Sequence, residues 1–140
     1  MADRAIDPQQ TPRLTVVLTN YNGRGLLETM LPSLARQSYR DFAIVVVDDG
    51  SSDGSVSYLR ERWPDVDVIE LPGNGGVTAA MDVGLRAPSS ELVALFNNDM
   101  ELDPNCLAAL VAALDSHPEA GSATPKMLDF SDRRRIDGAG

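Results

Sequence analysis

The 140-residue sequence has one cysteine, one histidine and no long apolar run. Cys106 alone cannot form an internal disulfide, and with one histidine the chain lacks the paired Cys or His ligands of a zinc site. No stretch approaches the length of a membrane-spanning helix. Acidic residues outnumber basic ones by 21 to 12, and the formal charge of −9 argues against nucleic acid as a partner. The one basic cluster, Arg133 to Arg135, is interpreted as a solvated surface or a chain end.

The composition and the position of the polar, proline-containing segment indicate one domain. The chain is 43% hydrophobic and 24% charged, which suits a single soluble domain large enough to bury a core. Residues 1–12 are polar, contain prolines and lack the apolar region of a signal peptide. We therefore expect a disordered lead over 1–12 and one domain over 13–140. The expected location is the cytoplasm, with peripheral association at the inner face of the membrane as a further option.

Short apolar runs alternate with helical patterns along the chain. The runs at 14–18, 43–47, 66–69 and 92–96 are aliphatic, as strands buried on both faces are. Helical periodicity falls at 26–37, 55–62, 78–86 and 105–116. Repeated strand-helix-strand units form parallel sheets with right-handed crossovers. The sequence predicts a Rossmann-like α/β fold with strand order 3-2-1-4 and flanking helices.

Three polar segments follow strands one, two and four, namely "TNYNG", "DDGSSDGS" and "NNDMELDP". In the order 3-2-1-4 these strands are neighbours, so their carboxyl ends meet. Ligands of open α/β sheets bind beyond the carboxyl ends of the strands, where the strand order reverses. Acids and amides gathered at three adjacent strand ends therefore predict a binding site.

Asp48 and Asp49 end the second strand, and we expect one to face the crevice while the other packs or caps. A carboxylate there accepts hydrogen bonds from ribose hydroxyls or from the imide N–H of uracil or thymine. The alternative is that both acids only cap the turn and the following helix. Ser51, Ser52 and Asp53 are assigned to capping.

Asp99, directly after the fourth strand, is the candidate cation ligand. A diphosphate in an acidic crevice needs Mg²⁺ or Mn²⁺, which takes one or two protein carboxylates and fills its other positions with phosphate oxygens and water. Glu101 could join the site directly or through water. Asp103 before Pro104 predicts an N-cap with proline at the first helical position. The two asparagines of "NNDM" either orient ligand or satisfy turn backbone.

Three blocks, taken together, resemble the nucleotide-binding half of family-2 inverting glycosyltransferases with the GT-A fold, especially rhamnosyltransferase-like members. They are "VVLTNYNGRGLLETMLPSLARQSYRDFAIVVVDDGSSDGS", "PGNGGVTAAMDVGL" and "LVALFNNDMELDP". The resemblance implies transfer of a sugar from a nucleoside-diphosphate sugar to an acceptor hydroxyl, with inversion, in cell-wall, polysaccharide or glycolipid synthesis. It implies UDP or dTDP weakly over GDP, and a glycan or lipid-linked acceptor. The residues it assigns to the nucleotide are Thr19, Tyr21, Asp48, Asp49, Asn74 and Asn98, with Asp99 and Glu101 on the metal.

Two positions depart from the family pattern. Asn97 stands where many relatives have the first acid of the DxD motif, so the metal is expected to depend on Asp99 and to bind weakly. Asp82 replaces a frequent asparagine of the third helix. The family's acceptor recognition and general base lie well beyond the DxD-like motif, so we expect 13–140 to be a donor-binding part, truncated before the acceptor-binding part. Asp129, Asp132 and Asp137 are late enough to be considered as the base, and the catalytic residue is left unassigned.

Two other functions stay open at this point. A dinucleotide-binding oxidoreductase would use Gly23-x-Gly25 and Asp48, but Glu28 occupies the third glycine position of that fingerprint. A non-catalytic module that binds a nucleotide-sugar or a partner is the second. Activity of a longer polypeptide would separate that module from an enzyme.

Overall fold

The computed structural model describes residues 11–138, and its main sheet has four parallel strands in the order β3-β2-β1-β4. The strands are β1 (Leu14–Asn20), β2 (Phe42–Asp48), β3 (Asp67–Glu70) and β4 (Leu92–Asn97). The predicted class and strand order are confirmed. The predicted lead, residues 1–12, lies outside the described residues up to position 10.

Helices follow the strands as predicted, with ends that differ from the prediction by up to two residues. They are α1 (Arg24–Ala35), α2 (Ser55–Arg62), α3 (Val77–Arg86) and α4 (Cys106–Ser116). Helix α3 packs on the sheet, where Val17, Val45, Val47 and Ala80 form a buried core. Gly84 allows this approach, because a Cβ there would lie 2.5 Å from Cγ1 of Val17.

The chain divides into two compact units, Met1–Pro32 with Arg40–Glu101, and Ser33–Tyr39 with Leu102–Gly140. The first contains the four-stranded sheet. The second contains α4 and an antiparallel hairpin of β5 (Met127–Leu128) and β6 (Ile136–Gly138). Within the second unit the fully buried Gln37 donates to the carbonyl of Asp103 and accepts from the amide of Leu107. None of the helices over 11–138 is long and apolar enough to cross a membrane.

Candidate nucleotide site

One cleft, with a volume of about 470 Å³, lies at the carboxyl ends of β1, β2 and β4. Its size is that of a small-molecule pocket. In β1, Thr19 pairs with Val47 of β2 and with Asn97 of β4, so the three polar segments begin side by side. The lining residues are Thr19, Asn20, Tyr21, Leu26, Asp49, Asn74, Gly76, Val77, Ala80, Asn97, Asn98 and Asp99.

The structure separates the two acids that end β2. Asp48 is 2% exposed, and its carboxylate accepts hydrogen bonds from Nδ2 of Asn20 and from the amide and hydroxyl of Ser51, at 2.7–2.8 Å. Asp48 is absent from the cleft lining. The expectation that one acid of the pair packs is met. Protein donors surround the carboxylate of Asp48, and its assignment to the nucleotide stays a prediction.

Asp49 lines the cleft and also holds the loop before α3. Its two carboxylate oxygens accept from the amides of Gly75 and Gly76, each at 2.8 Å. The backbones meet closely here, since a Cβ on Gly50 would lie 2.8 Å from Cα of Gly73, and Gly50 has φ 79°. Each carboxylate oxygen has a second lone pair, so Asp49 retains capacity to accept from a ligand. Asn74 in this loop also lines the cleft.

In the loop after β2, Asp53 binds the first amides of two helices, although Gly54 is the N-cap of α2. Asp53 accepts from the amide of Arg24 at the start of α1, and from the amide and hydroxyl of Ser55 at the start of α2. Burial raises the pKa of the Asp53 carboxyl, but these hydrogen bonds outweigh it and hold the pKa below its usual value. Ser51 differs from the prediction, because its hydroxyl binds Asp48 and accepts from the amide of Asn22 instead of capping a helix.

At the end of β4, Asn97 and Asp99 are exposed in the cleft, and Asn98 donates its Nδ2 to Oδ1 of Asn20 at 2.8 Å. Glu101, predicted as a second metal ligand, is not among the lining residues. Residues 11–138 contain no group of three or more His, Cys, Asp or Glu arranged to bind a metal. The donor set of one carboxylate and amide oxygens suits a hard divalent cation only if phosphate oxygens and water complete its shell.

The prediction that Asp103 is an N-cap followed by Pro104 at the first helical position is wrong, although Asp103 does bind the backbone just before α4. Its carboxylate accepts from the amide of Asn105, and its carbonyl accepts from the amide of Cys106. Helix α4 therefore begins at Cys106 with Asn105 at the N-cap, and Pro104 lies in the preceding turn. Burial raises the pKa of the Cys106 thiol, and the negative charge of Asp103 raises it further.

The acids considered as a general base lie in the β5–β6 hairpin. Asp129 accepts from the amides of Ser131 and Asp132. Asp132 pairs with the side chain of Arg134, which lowers the pKa of the Asp132 carboxyl, and Asp137 is an exposed residue of β6. Two of the three acids thus hold a turn, and the base remains unassigned.

Sequence reasoning missed several lining residues. Asn20 is 2% exposed, and its role depends on partners 28 and 78 residues away, which no local pattern contains. Leu26 and Val77 give the cleft an exposed apolar rim. Asp82, which replaces a frequent asparagine, is absent from the lining and pairs with Arg86 one helical turn away.

Comparison with known proteins identifies a family match over most of the chain. The family model described as Glycosyl transferase family 2 matches residues 15–138. A curated relative, N-acetylglucosaminyl-diphospho-decaprenol L-rhamnosyltransferase of Mycobacterium tuberculosis, is 28% identical over 130 residues, covering 85% of this chain and 42% of the relative. The curated relatives are longer proteins, of which this chain spans 10% to 42%.

Two solved structures are similar over most of the chain. S. aureus TarS in complex with UDP has a TM-score of 0.70 and 25% identity, covering 81% of this chain and 38% of that one. The mannosyltransferase PcManGT of Pyrobaculum calidifontis, in complex with GDP-Man and Mn²⁺, has a TM-score of 0.68 and 32% identity, covering 77% and 34%. These similarities confirm the predicted GT-A fold.

Proposed function

Because the chain belongs to glycosyl transferase family 2, we propose that its cleft binds a nucleoside-diphosphate sugar together with Mg²⁺ or Mn²⁺. The observation that carries the proposal is the convergence of Thr19, Asp49 and Asp99 on one cleft at the carboxyl ends of three adjacent strands. In the whole protein, this part would supply the donor for transfer of a sugar to an acceptor hydroxyl with inversion.

On the nucleotide side, Asp49 accepts the imide N–H of the base while it keeps its bonds to Gly75 and Gly76. Thr19 and Tyr21 border the nucleotide, and Asn74 lies along the part of the cleft that would hold the nucleotide-sugar. A carboxylate that accepts from an imide N–H weakly favours UDP or dTDP over GDP. TarS, which was solved with UDP, supports that choice, whereas GDP-Man in the mannosyltransferase makes guanine the alternative to test.

On the phosphate side, Asp99 is the cleft-lining carboxylate of the β4 end and would hold the cation together with phosphate oxygens. A bound divalent cation would stabilise the negative charge of the departing nucleoside diphosphate. Asp99 contributes a negative charge to the cleft. Asn97, at a position where many relatives have an acid, contributes a neutral amide. A single charged ligand makes the cation weakly bound when the nucleotide is absent.

The acceptor is proposed to be a glycan or a lipid-linked saccharide, in polysaccharide, cell-wall or glycolipid synthesis. The curated M. tuberculosis relative, whose name specifies a diphospho-decaprenol substrate, supports this class. A second candidate function is donor binding without transfer. It is favoured because two acids considered as the general base have protein partners: Asp129 binds turn amides and Asp132 binds a neighbouring arginine. Detecting the released nucleoside diphosphate by mass spectrometry, with and without acceptor, separates the two. The oxidoreductase alternative has no support from the family match.

The experiment is calorimetric titration with UDP, dTDP and GDP, each in Mn²⁺ and in EDTA. We expect one nucleotide to bind more tightly in Mn²⁺, by a factor within the ~5- to 150-fold range usual for coupled sites. Linkage requires the nucleotide to tighten the metal by the same factor. Equal affinity in Mn²⁺ and in EDTA for every nucleotide would contradict the metal assignment.

Substitution of Asp99 tests the assigned ligand. Asp99→Ala should abolish the coupling, because no other carboxylate lines the β4 end of the cleft within residues 11–138. Asp103→Ala is the matched control, since it removes a nearby acid that binds the amide of Asn105. It should cost about 0.5–1.5 kcal/mol of stability, as the loss of one hydrogen bond does, and leave the coupling in place. Loss of coupling in both variants would identify a folding effect.

A further inference from the structure

The side chain of Asn20 connects two of the strand ends that form the cleft. Its Nδ2 donates to Oδ2 of Asp48 at 2.8 Å, in a bond that is buried, and its Oδ1 accepts from Nδ2 of Asn98 at 2.8 Å. Asn20 itself is 2% exposed at the end of β1. One amide therefore links the end of β2 to the turn that carries Asp99.

The order of donors and acceptors along this connection is fixed by chemistry. An ionised carboxylate only accepts hydrogen bonds, so Asp48 requires the NH₂ group of Asn20. The oxygen of Asn20 then faces Asn98, which must present its own NH₂ group. Among residues 11–138 the Oδ1 atom of Asn98 accepts no hydrogen bond, and Asn98 lines the cleft. The result is an oriented acceptor next in sequence to Asp99.

Gly23 makes room for this connection. A Cβ on Gly23 would lie 2.3 Å from Nδ2 of Asn98 and 2.6 Å from Oδ1 of Asn20, closer than real Cβ atoms approach. A Cβ on Gly25 would meet nothing within 4 Å. The two glycines, two residues apart, thus differ in whether an added methyl group separates the two asparagines.

We propose that Asn20 is a positioning residue for the cation side of the cleft. The carboxylate of Asp48 can only accept hydrogen bonds, so it fixes the orientation of the Asn20 amide, and Asn20 in turn fixes the orientation of the Asn98 amide. Asn98 then presents Oδ1 beside the Asp99 turn, where it accepts from cation-bound water or a donor hydroxyl. The inference rests on the proposed donor site and adds the group that orients it. Its consequence is that Asn20 controls the cation-dependent part of nucleotide affinity, whereas Asp49 controls the cation-independent part.

The test is calorimetric titration of UDP, dTDP and GDP in Mn²⁺ and in EDTA with wild type, Gly23→Ala and Gly25→Ala. In wild type, Mn²⁺ should raise nucleotide affinity by a factor in the ~5- to 150-fold range. In Gly23→Ala this factor should fall to less than about threefold. Its affinity in EDTA should stay within roughly twofold of wild type, because Asp49 and its loop are unchanged. Gly25→Ala should retain both values.

Asn98→Ala provides a readout that general destabilisation would not move. If Gly23→Ala acts by displacing Asn98, it should have no further effect on the metal factor in the Asn98→Ala background. Asn20→Ala should reproduce the Gly23→Ala result if the latter variant does not fold. Wild-type coupling in both Gly23→Ala and Asn20→Ala overturns the inference while the proposed function stands. Equal weakening with and without metal also overturns it, and absence of coupling in wild type refutes the proposed metal site together with the inference.

Discussion

The two adjacent acids Asp48 and Asp49 show how one residue step divides structural from binding roles. Neighbouring residues at a strand end point to opposite sides, and here one carboxylate meets Asn20 and Ser51 while the other meets the cleft. The alternation was readable from the sequence. The hydrogen bonds from the amides of Gly75 and Gly76 to Asp49 were not readable, because these glycines lie 26 and 27 residues further along the chain.

Asp49→Asn should weaken binding of UDP by about 1–3 kcal/mol, the cost of leaving a buried hydrogen-bonding group without its partner. The substitution replaces one oxygen by an NH₂ group, which cannot accept from the imide and faces an amide donor of the Gly75–Gly76 loop. Calorimetry in EDTA measures the loss without the cation. Asp53→Asn is the control, since its carboxylate binds helix starts and should leave affinity nearly unchanged. Equal losses in the two variants would indicate misfolding.

At the scale of elements, the aliphatic runs and helical periods predicted the main sheet. The expected burial on both faces is wrong for β3 and β4, which are partly exposed, whereas β1 is buried along its whole length. Polar strand ends also predicted where the cleft lies. The hairpin β5–β6 was missed, since strands of two and three residues carry no readable alternation. The buried contacts of Gln37 with Asp103 and Leu107 were missed as well, because they join residues 66 and 70 positions apart.

Asp53 links two elements, and its contribution to stability should depend on pH. Its pKa in the folded chain lies below the ordinary value of 3.8, since Arg24 and Ser55 donate to the ionised form. The stabilisation is therefore complete above about pH 5, begins to fall near the ordinary value of 3.8 and is lost as the pH falls through the lowered pKa. We expect Asp53→Asn to cost about 1 kcal/mol near neutral pH, because its NH₂ group cannot accept the hydrogen bond from one of the two helix starts.

Thermal unfolding of wild type and Asp53→Asn, followed at pH 7, 4 and 2, measures this contribution as a difference. Other carboxylates titrate in both proteins, so the difference isolates Asp53. It should be slightly smaller at pH 4 than at pH 7 and should shrink further towards pH 2. A difference that grows on acidification would contradict the assigned hydrogen bonds, because it would require a raised pKa.

The whole molecule has a net charge of −9, and its cleft combines Asp49 and Asp99 with Asp48 buried behind them. A nucleoside diphosphate brings further negative charge into that field. In water, two unit charges about 10 Å apart repel by roughly 0.4 kcal/mol. Each such pair lowers affinity by about twofold, so several acids together oppose binding unless a cation or dissolved salt reduces the repulsion.

Salt should therefore strengthen nucleotide binding in EDTA, which is the reverse of its usual effect on phosphate ligands. Raising ionic strength from about 0.01 to 0.15 M shortens the screening length from roughly 30 to 8 Å, which screens the more distant acids and should raise UDP affinity at least about twofold. With saturating Mn²⁺ the increase should be smaller, because the cation already offsets the phosphate charge at Asp99. Calorimetry at both ionic strengths, with NaCl as the varied salt, measures the two slopes. A decrease in affinity with salt in EDTA would show that the phosphates meet a positive site, and Asp99 would then not face them.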